Sequence, residues 1–330
     1  AATLISVKLG QKDYDTAQQV LGNVFVLNLI IGISFTVIVL PFLDPILYFF
    51  GGSDETVKYA REFMQVILLG NVVTHLYLGL NAVLRASGHL QKAMMATITT
   101  DELIRLKKGI FRLKRKIVLD SLAIGMSPFL MNMASCFIVI LINQGLKEHG
   151  GDLAIGAFGI VNRIVFVFIM IVLGLNQGMQ PIAGYNFGAK LYLRVTEVLK
   201  VTICCATVVT TIGFLIGMFI PEIVSSIFTS DEELISIASK GFRIVVFFYP
   251  IVGFQMVASN FFQSIGMASK AIFLSLTRQM LFLLPALIIL PRFFGAAGVW
   301  YSMPFSDLLA SLVALVMLVR QFRKFKRAEE

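Results

Sequence analysis

The stretch Gly174-Leu-Asn-Gln-Gly-Met-Gln-Pro-Ile-Ala-Gly-Tyr-Asn-Phe-Gly-Ala-Lys190 closes a long apolar run that begins near Leu153, and it leads into a short polar loop. A greasy helix that carries Asn176, Gln177 and Gln180 and ends in Pro181 and Gly184 is unusual. In lipid each such amide is costly unless another helix or a wet cavity meets it. The stretch predicts a membrane helix that turns one face towards something polar, either a substrate path or a neighbouring helix.

Composition agrees. Of 330 residues, 57% are hydrophobic and only 14% charged, with mean hydropathy +0.85. Soluble domains are about a quarter charged, so the chain reads as a polytopic membrane protein whose length counts spans of roughly 20 residues. The net charge of +9 does not signal nucleic acid, because the basic residues stand at the ends of apolar runs. Cys136, Cys204 and Cys205 lie inside such runs, with neither disulfide nor metal-site spacing. No signal peptide is visible, and the start at Ala1-Ala-Thr reads as a beginning partway through something longer.

Ala1–Ser6 reads as the end of a span. Eight full apolar runs follow, at about 20–43, 62–84, 119–146, 154–183, 198–220, 236–262, 270–291 and 295–319. Alternate loops divide by charge. One set holds Lys8, Lys12, Arg85, Lys92, Arg105 to Lys116, Lys190, Arg194, Lys200, Lys270 and the tail Arg320 to Arg327. The other holds Asp44, Asp54, Glu55, Glu148, Asp152, Glu222, Asp231, Glu232 and Glu233. Cytoplasmic loops collect Lys and Arg, which predicts a cytoplasmic C-terminus. Two basic loops flank Ala93–Thr100, a piece too short to span, so the pattern has lost either no span or a pair there.

An internal repeat accounts for this. Residues 4–98 align with 182–276 at an offset near 178: Gly10-Gln-Lys12 with Gly188-Ala-Lys190, Tyr14 with Tyr192, and Gly88 to Lys92 with Gly266 to Lys270. Both copies begin on the same side, the mark of a parallel repeat. The expected fold is all-α: a polytopic membrane helix bundle of two pseudo-symmetric six-helix halves, the first incomplete. We expect a partial amino-terminal bundle at 1–100, a basic amphipathic linker at 101–118 lying on the inner membrane surface, a six-helix bundle at 119–319 and a basic tail at 320–330. On this reading the chain is a depleted version of a twelve-helix protein, without the first, fifth and sixth helices and most of the second.

These features together resemble the multidrug and toxic compound extrusion (MATE) family. The resemblance rests on the two halves, the Gly174–Lys190 stretch, and the paired turns Arg85-Ala-Ser-Gly-His-Leu-Gln-Lys92 and Gln263-Ser-Ile-Gly-Met-Ala-Ser-Lys270. Leu146-Lys-Glu-His-Gly-Gly-Asp152 fits the bacterial branch. The resemblance implies a multi-pass transporter in the bacterial plasma membrane. It would export small organic, often cationic, compounds by antiport with sodium or protons, use no cofactor beyond the coupling ion, and work as a monomer through two bundles around a central cleft. The family's amino-terminal coupling carboxylates fall in helices absent here, and Met131-Asn-Met-Ala-Ser135 lacks the acid some members place there. A sodium site is therefore not assignable.

Intramembrane ionisable residues are functional candidates by default. Asp307, midway along the last run, can bind a cation, take a proton, or pair with Arg278 or Arg163. Gln255, Ser259 and Gln263 share a helix face, and their repeat partners are Tyr77, Asn81 and Arg85. The two stripes either line a cavity or glue helices together. His75, one turn from Asn71, is either a proton carrier or a hydrogen-bonded residue. Tyr249-Pro250 predicts a kink. Asn176, Gln177 and Gln180 either line the inner mouth of a cleft or tie their helix to a loop. No metal motif, phosphate loop or paired-Asp motif supports an enzyme. A flippase for a lipid-linked precursor is the alternative, and would call for a more cationic cavity; a truncated carrier without activity is a third reading.

Overall fold

The computed structural model describes residues 2–49, 54–88 and 111–329, and among them every regular element is a helix. The chain divides into two compact units, Ala1–Leu122 and Ala123–Glu330. Ala93–Thr100 and the linker as far as Ile110 lie outside the described residues.

Unit 1 contains α1 (Ala2–Gly10), α2 (Tyr14–Val39), α3 (Leu43–Phe49) and α4 (Asp54–Ala86), with a 3-10 turn at Leu40–Phe42. Asp13 caps α2, its carboxylate accepting the Thr16 N–H at 3.2 Å. The core joins Ile5 and Leu9 of α1, Val20 and Val24 of α2, and Val83 of α4. Asn23, fully buried on α2, accepts from the Lys114 N–H at 2.9 Å and donates to the Arg112 carbonyl at 3.3 Å. The described end of the linker is thus tied to α2 by one amide.

The next helix, α5 (Arg115–Gly188), holds 74 residues and is broken at Gly151, whose φ of 68° and ψ of −167° suit only glycine. Unit 2 continues with α6 (Tyr192–Phe219), α7 (Pro221–Ser226), α8 (Glu232–Val246), α9 (Tyr249–Ser264), α10 (Ala268–Leu276), a π-helical segment Thr277–Leu283, α11 (Leu284–Phe294) and α12 (Ala296–Glu329). The kink expected at Tyr249-Pro250 is a 56° bend between α8 and α9, with Pro250 in the first turn of α9. Proline fits there because that turn's N–H has no intrahelical acceptor. Six helices are long and apolar enough to cross a bilayer. Dividing α5 at Gly151 and joining α8 to α9 brings the spans among the described residues to eight, the number expected from hydropathy.

The two expectations about segment ends need correction. Pro181 and Gly184 do not end their helix: α5 runs through both to Gly188. Residues 320–329 are the last turns of α12, with Gln321 and Phe325 buried rather than free in a tail. Phe325 stacks on Tyr192 at 5.0 Å and 13°.

The repeat recurs in backbone detail. Lys12 and Lys190 both take positive φ, 60° and 61°, and Gly88 and Gly266 take 89° and 77°. The hydrogen bonds that close the first turn, Gln11 N–H to Val7 C=O, Lys12 to Leu9 and Asp13 to Lys8, reappear as Ala189 to Tyr185, Lys190 to Phe187 and Leu191 to Asn186. These are helix C-termini closed by a left-handed residue, and they stand at the same offset that the sequence alignment requires.

Candidate functional site

Within unit 2 the charged centre is Asp307 and Arg278. Asp307 lies eleven residues into α12, about 16 Å along the axis at 1.5 Å per residue, near the middle of an apolar core about 30 Å thick. It is 4% exposed, and its Oδ1 accepts the Arg278 Nε–H at 2.6 Å. Arg163, the other expected partner, is exposed on α5. A carboxylate at this depth is tolerated because a guanidinium supplies both charge and donor.

Arg278 and Gln279 sit side by side in the π-helical segment, where i→i+5 bonding widens the turn. Gln279 Nε2 donates to Ser135 Oγ of α5 at 2.6 Å, while its Oε1 is buried with no protein partner among the described residues. One turn before Arg278, Ser275 Oγ lies 2.9 Å from Ser259 Oγ of α9 and 3.2 Å from Ser127 Oγ of α5. The π segment and its approach therefore gather polar groups from α5, α9 and α12 onto one stretch. Tyr249, at the α8–α9 bend, donates its hydroxyl to the Val165 carbonyl of α5 at 3.1 Å, and its ring meets Phe168 edge-on.

The other expected residues are placed as follows. Gln255 and Ser259 are buried and Gln263 half-buried on α9; Tyr77 is 52% exposed and Asn81 half-buried on α4. Asn176 is 3% exposed, and neither atom of its amide has a partner among the described residues. Gln177 is exposed and Gln180 half-buried, so the three amides do not share one environment. His75 is half-buried, and Asn71, its neighbour one turn back, donates instead to the Gly32 carbonyl of α2 at 3.4 Å. Among the described residues no cluster of His, Cys, Asp and Glu is suited to hold a metal ion.

A profile of the MatE family matches residues 1–106 and 123–288. The chain belongs to the MatE family. The multidrug export protein MepA of Staphylococcus aureus is 22% identical over 362 aligned positions, which cover 96% of this chain and 80% of MepA. The alignment holds more positions than this chain has residues, so MepA carries segments inside the aligned region that are missing here. Among solved structures, an outward-facing multidrug resistance MATE family transporter of the MOP superfamily superposes with a TM-score of 0.90 at 20% identity, covering 99% of this chain and 83% of its own. The MATE multidrug transporter DinF-BH, in complex with a rhodamine dye, gives 0.86 at 28% identity, covering 97% and 81%.

As a MatE protein the chain is a multi-pass membrane transporter and not an enzyme. The sequence pointed to Asp307 and offered Arg278 as one of two partners. It did not pick out Gln279, Ser275, Ser127 or the hydroxyl of Ser135. The one available signal was Thr277-Arg-Gln279, a polar triplet inside the apolar run 270–291.

Proposed function

We propose that this MatE chain exports small organic compounds, cationic drugs and xenobiotics among them, across a bacterial plasma membrane by antiport with sodium or protons, with its C-terminus in the cytoplasm. The observation that carries this reading is the buried Asp307–Arg278 pair, set on a π-helical segment inside an otherwise apolar bundle. The names of its relatives, multidrug exporters among them, support the substrate class.

The mechanism follows from charge balance. A proton or sodium ion on the Asp307 carboxylate replaces the guanidinium charge and releases Arg278. The π segment, already one residue wider per turn than an α-helix, can then shift its register and carry Gln279 and Ser275 with it. Two arrangements of one segment, biased by ion occupancy, are the requirement for coupled alternation. Gln255, Ser259, Gln263, Tyr77, Asn81 and His75 supply hydrogen-bonding groups along the substrate route. Asn176, Gln177 and Gln180 do the same towards the Gly188–Lys190 turn, and Tyr249 holds the bend on which the motion turns.

The test is efflux of a fluorescent rhodamine cation, the class of compound bound by DinF-BH, from vesicles holding the folded chain, with sodium and proton gradients imposed separately. Accelerated efflux under one gradient is expected; indifference to both would overturn the antiport reading.

A further inference from the structure

At the far end of unit 2 from the Tyr192 turn lies a cavity of about 490 Å³, bounded by α6, the α8–α9 bend and α12. Its size is within the ~300–1,000 Å³ range of small-molecule sites. The lining is almost wholly apolar: Phe247 and Phe248 at the bend, Tyr301, Phe305 and Leu308 on α12. Phe247, Tyr301 and Phe305 are half exposed, so the cavity is an open groove on the flank of the bundle rather than an internal chamber. None of its residues belongs to the charged centre of Asp307 and Arg278.

Its one charged lining residue is Arg243. The guanidinium lies 3.6 Å from Glu222 of α7, and the two side chains are 47% and 69% exposed. Such a loose, exposed pair contributes little, and it leaves most of the Arg243 donors available. Lys240, one turn earlier, is exposed on the same face of α8. Two cations thus stand beside an aromatic groove that opens sideways on a membrane protein.

We propose that this groove binds an anionic phospholipid, its acyl chain along Phe247, Tyr301 and Phe305 and its phosphate on Arg243 and Lys240. The guanidinium fork matches phosphate oxygens, which a zwitterionic headgroup offers only together with its own cation. The apolar walls favour a chain already dissolved in the bilayer over a water-soluble anion.

The single tryptophan provides the readout. Trp300 is next to Tyr301 in the chain, and its ring lies against Gly241, two residues before Arg243. The full chain is reconstituted in phosphatidylcholine and titrated with phosphatidylglycerol or phosphatidylcholine brominated on the acyl chain. Wild type is expected to show Trp300 quenching by the anionic lipid at about fivefold lower mole fraction. Lys240→Gln with Arg243→Gln should make the two lipids equal without changing quenching by brominated phosphatidylcholine, and Arg243→Lys should keep the preference. Equal quenching by both lipids in wild type would overturn the proposal, as would a preference that survives the double substitution.

Discussion

Breaking the Asp307–Arg278 pair has an asymmetric consequence that can be worked out in advance. Removing one partner of a buried pair costs about 3–5 kcal/mol, because the other charge is left uncompensated. In Asp307→Asn the stranded group is Arg278, whose side chain is 30% exposed and can recover some hydration, so the loss should fall near 3 kcal/mol. In Arg278→Gln the stranded group is a carboxylate with a side chain only 5% exposed, and the loss should approach 5 kcal/mol. The double variant leaves no charge and should lie well above the sum, with a coupling energy of about 2–3 kcal/mol. Equilibrium unfolding of all four proteins in mixed micelles measures the cycle. A coupling below about 0.5 kcal/mol, the scatter of independent sites, would show that the two groups do not hold each other in the membrane and would refute the reasoning.

Other expectations are simpler. A Cβ at Gly253 would lie 2.7 Å from both the Ala206 carbonyl oxygen and Thr210 Oγ1, so Gly253→Ala should force α9 from α6 and cost about 1–3 kcal/mol in the same unfolding assay. Phe325→Ala removes a buried ring from the stack on Tyr192 and Phe187 and should cost about 3 kcal/mol; limited proteolysis should then cut the end of α12 faster. The Thr16 hydroxyl, then the Thr16 N–H and Lys8, hold the Asp13 carboxyl below its ordinary pKa against a small opposing effect of burial. A depressed folded-state value means a contribution present above the ordinary carboxylate range and lost as pH falls through the folded value. Asp13→Asn should therefore flatten the acid limb of the stability–pH curve and leave the neutral region nearly unchanged.

Spans and repeat were legible because each is written in residue type. Apolar runs register directly in hydropathy, and the turns at Gly10–Lys12 and Gly188–Lys190 need a helix end closed in the left-handed region, which leaves Gly and Lys at matching offsets. The passage of α5 through Pro181 was not legible. A proline predicts a stop in water, whereas in a bundle neighbouring groups meet the carbonyl it frees and the helix continues. The π segment was equally hidden, since Thr277–Leu283 has ordinary composition and its wider turn depends on packing around Arg278 and Gln279. Serines show the same limit: Ser127, Ser259 and Ser275 lie far apart in sequence, and no spacing rule within one helix pairs them across three. Asp307 was found because a carboxylate in an apolar run stands out by type alone. The choice of Arg278 over Arg163 required the fold.

The most direct test of the account is gradient-driven efflux of the rhodamine cation from vesicles containing equal amounts of folded wild type and Asp307→Asn, with counterflow under no gradient measured in parallel. If Asp307 carries the coupling ion, the variant should lose the acceleration that the gradient gives while keeping passive exchange of the dye. Full gradient-driven efflux in the variant would contradict the claim that the Asp307–Arg278 centre couples ion to substrate.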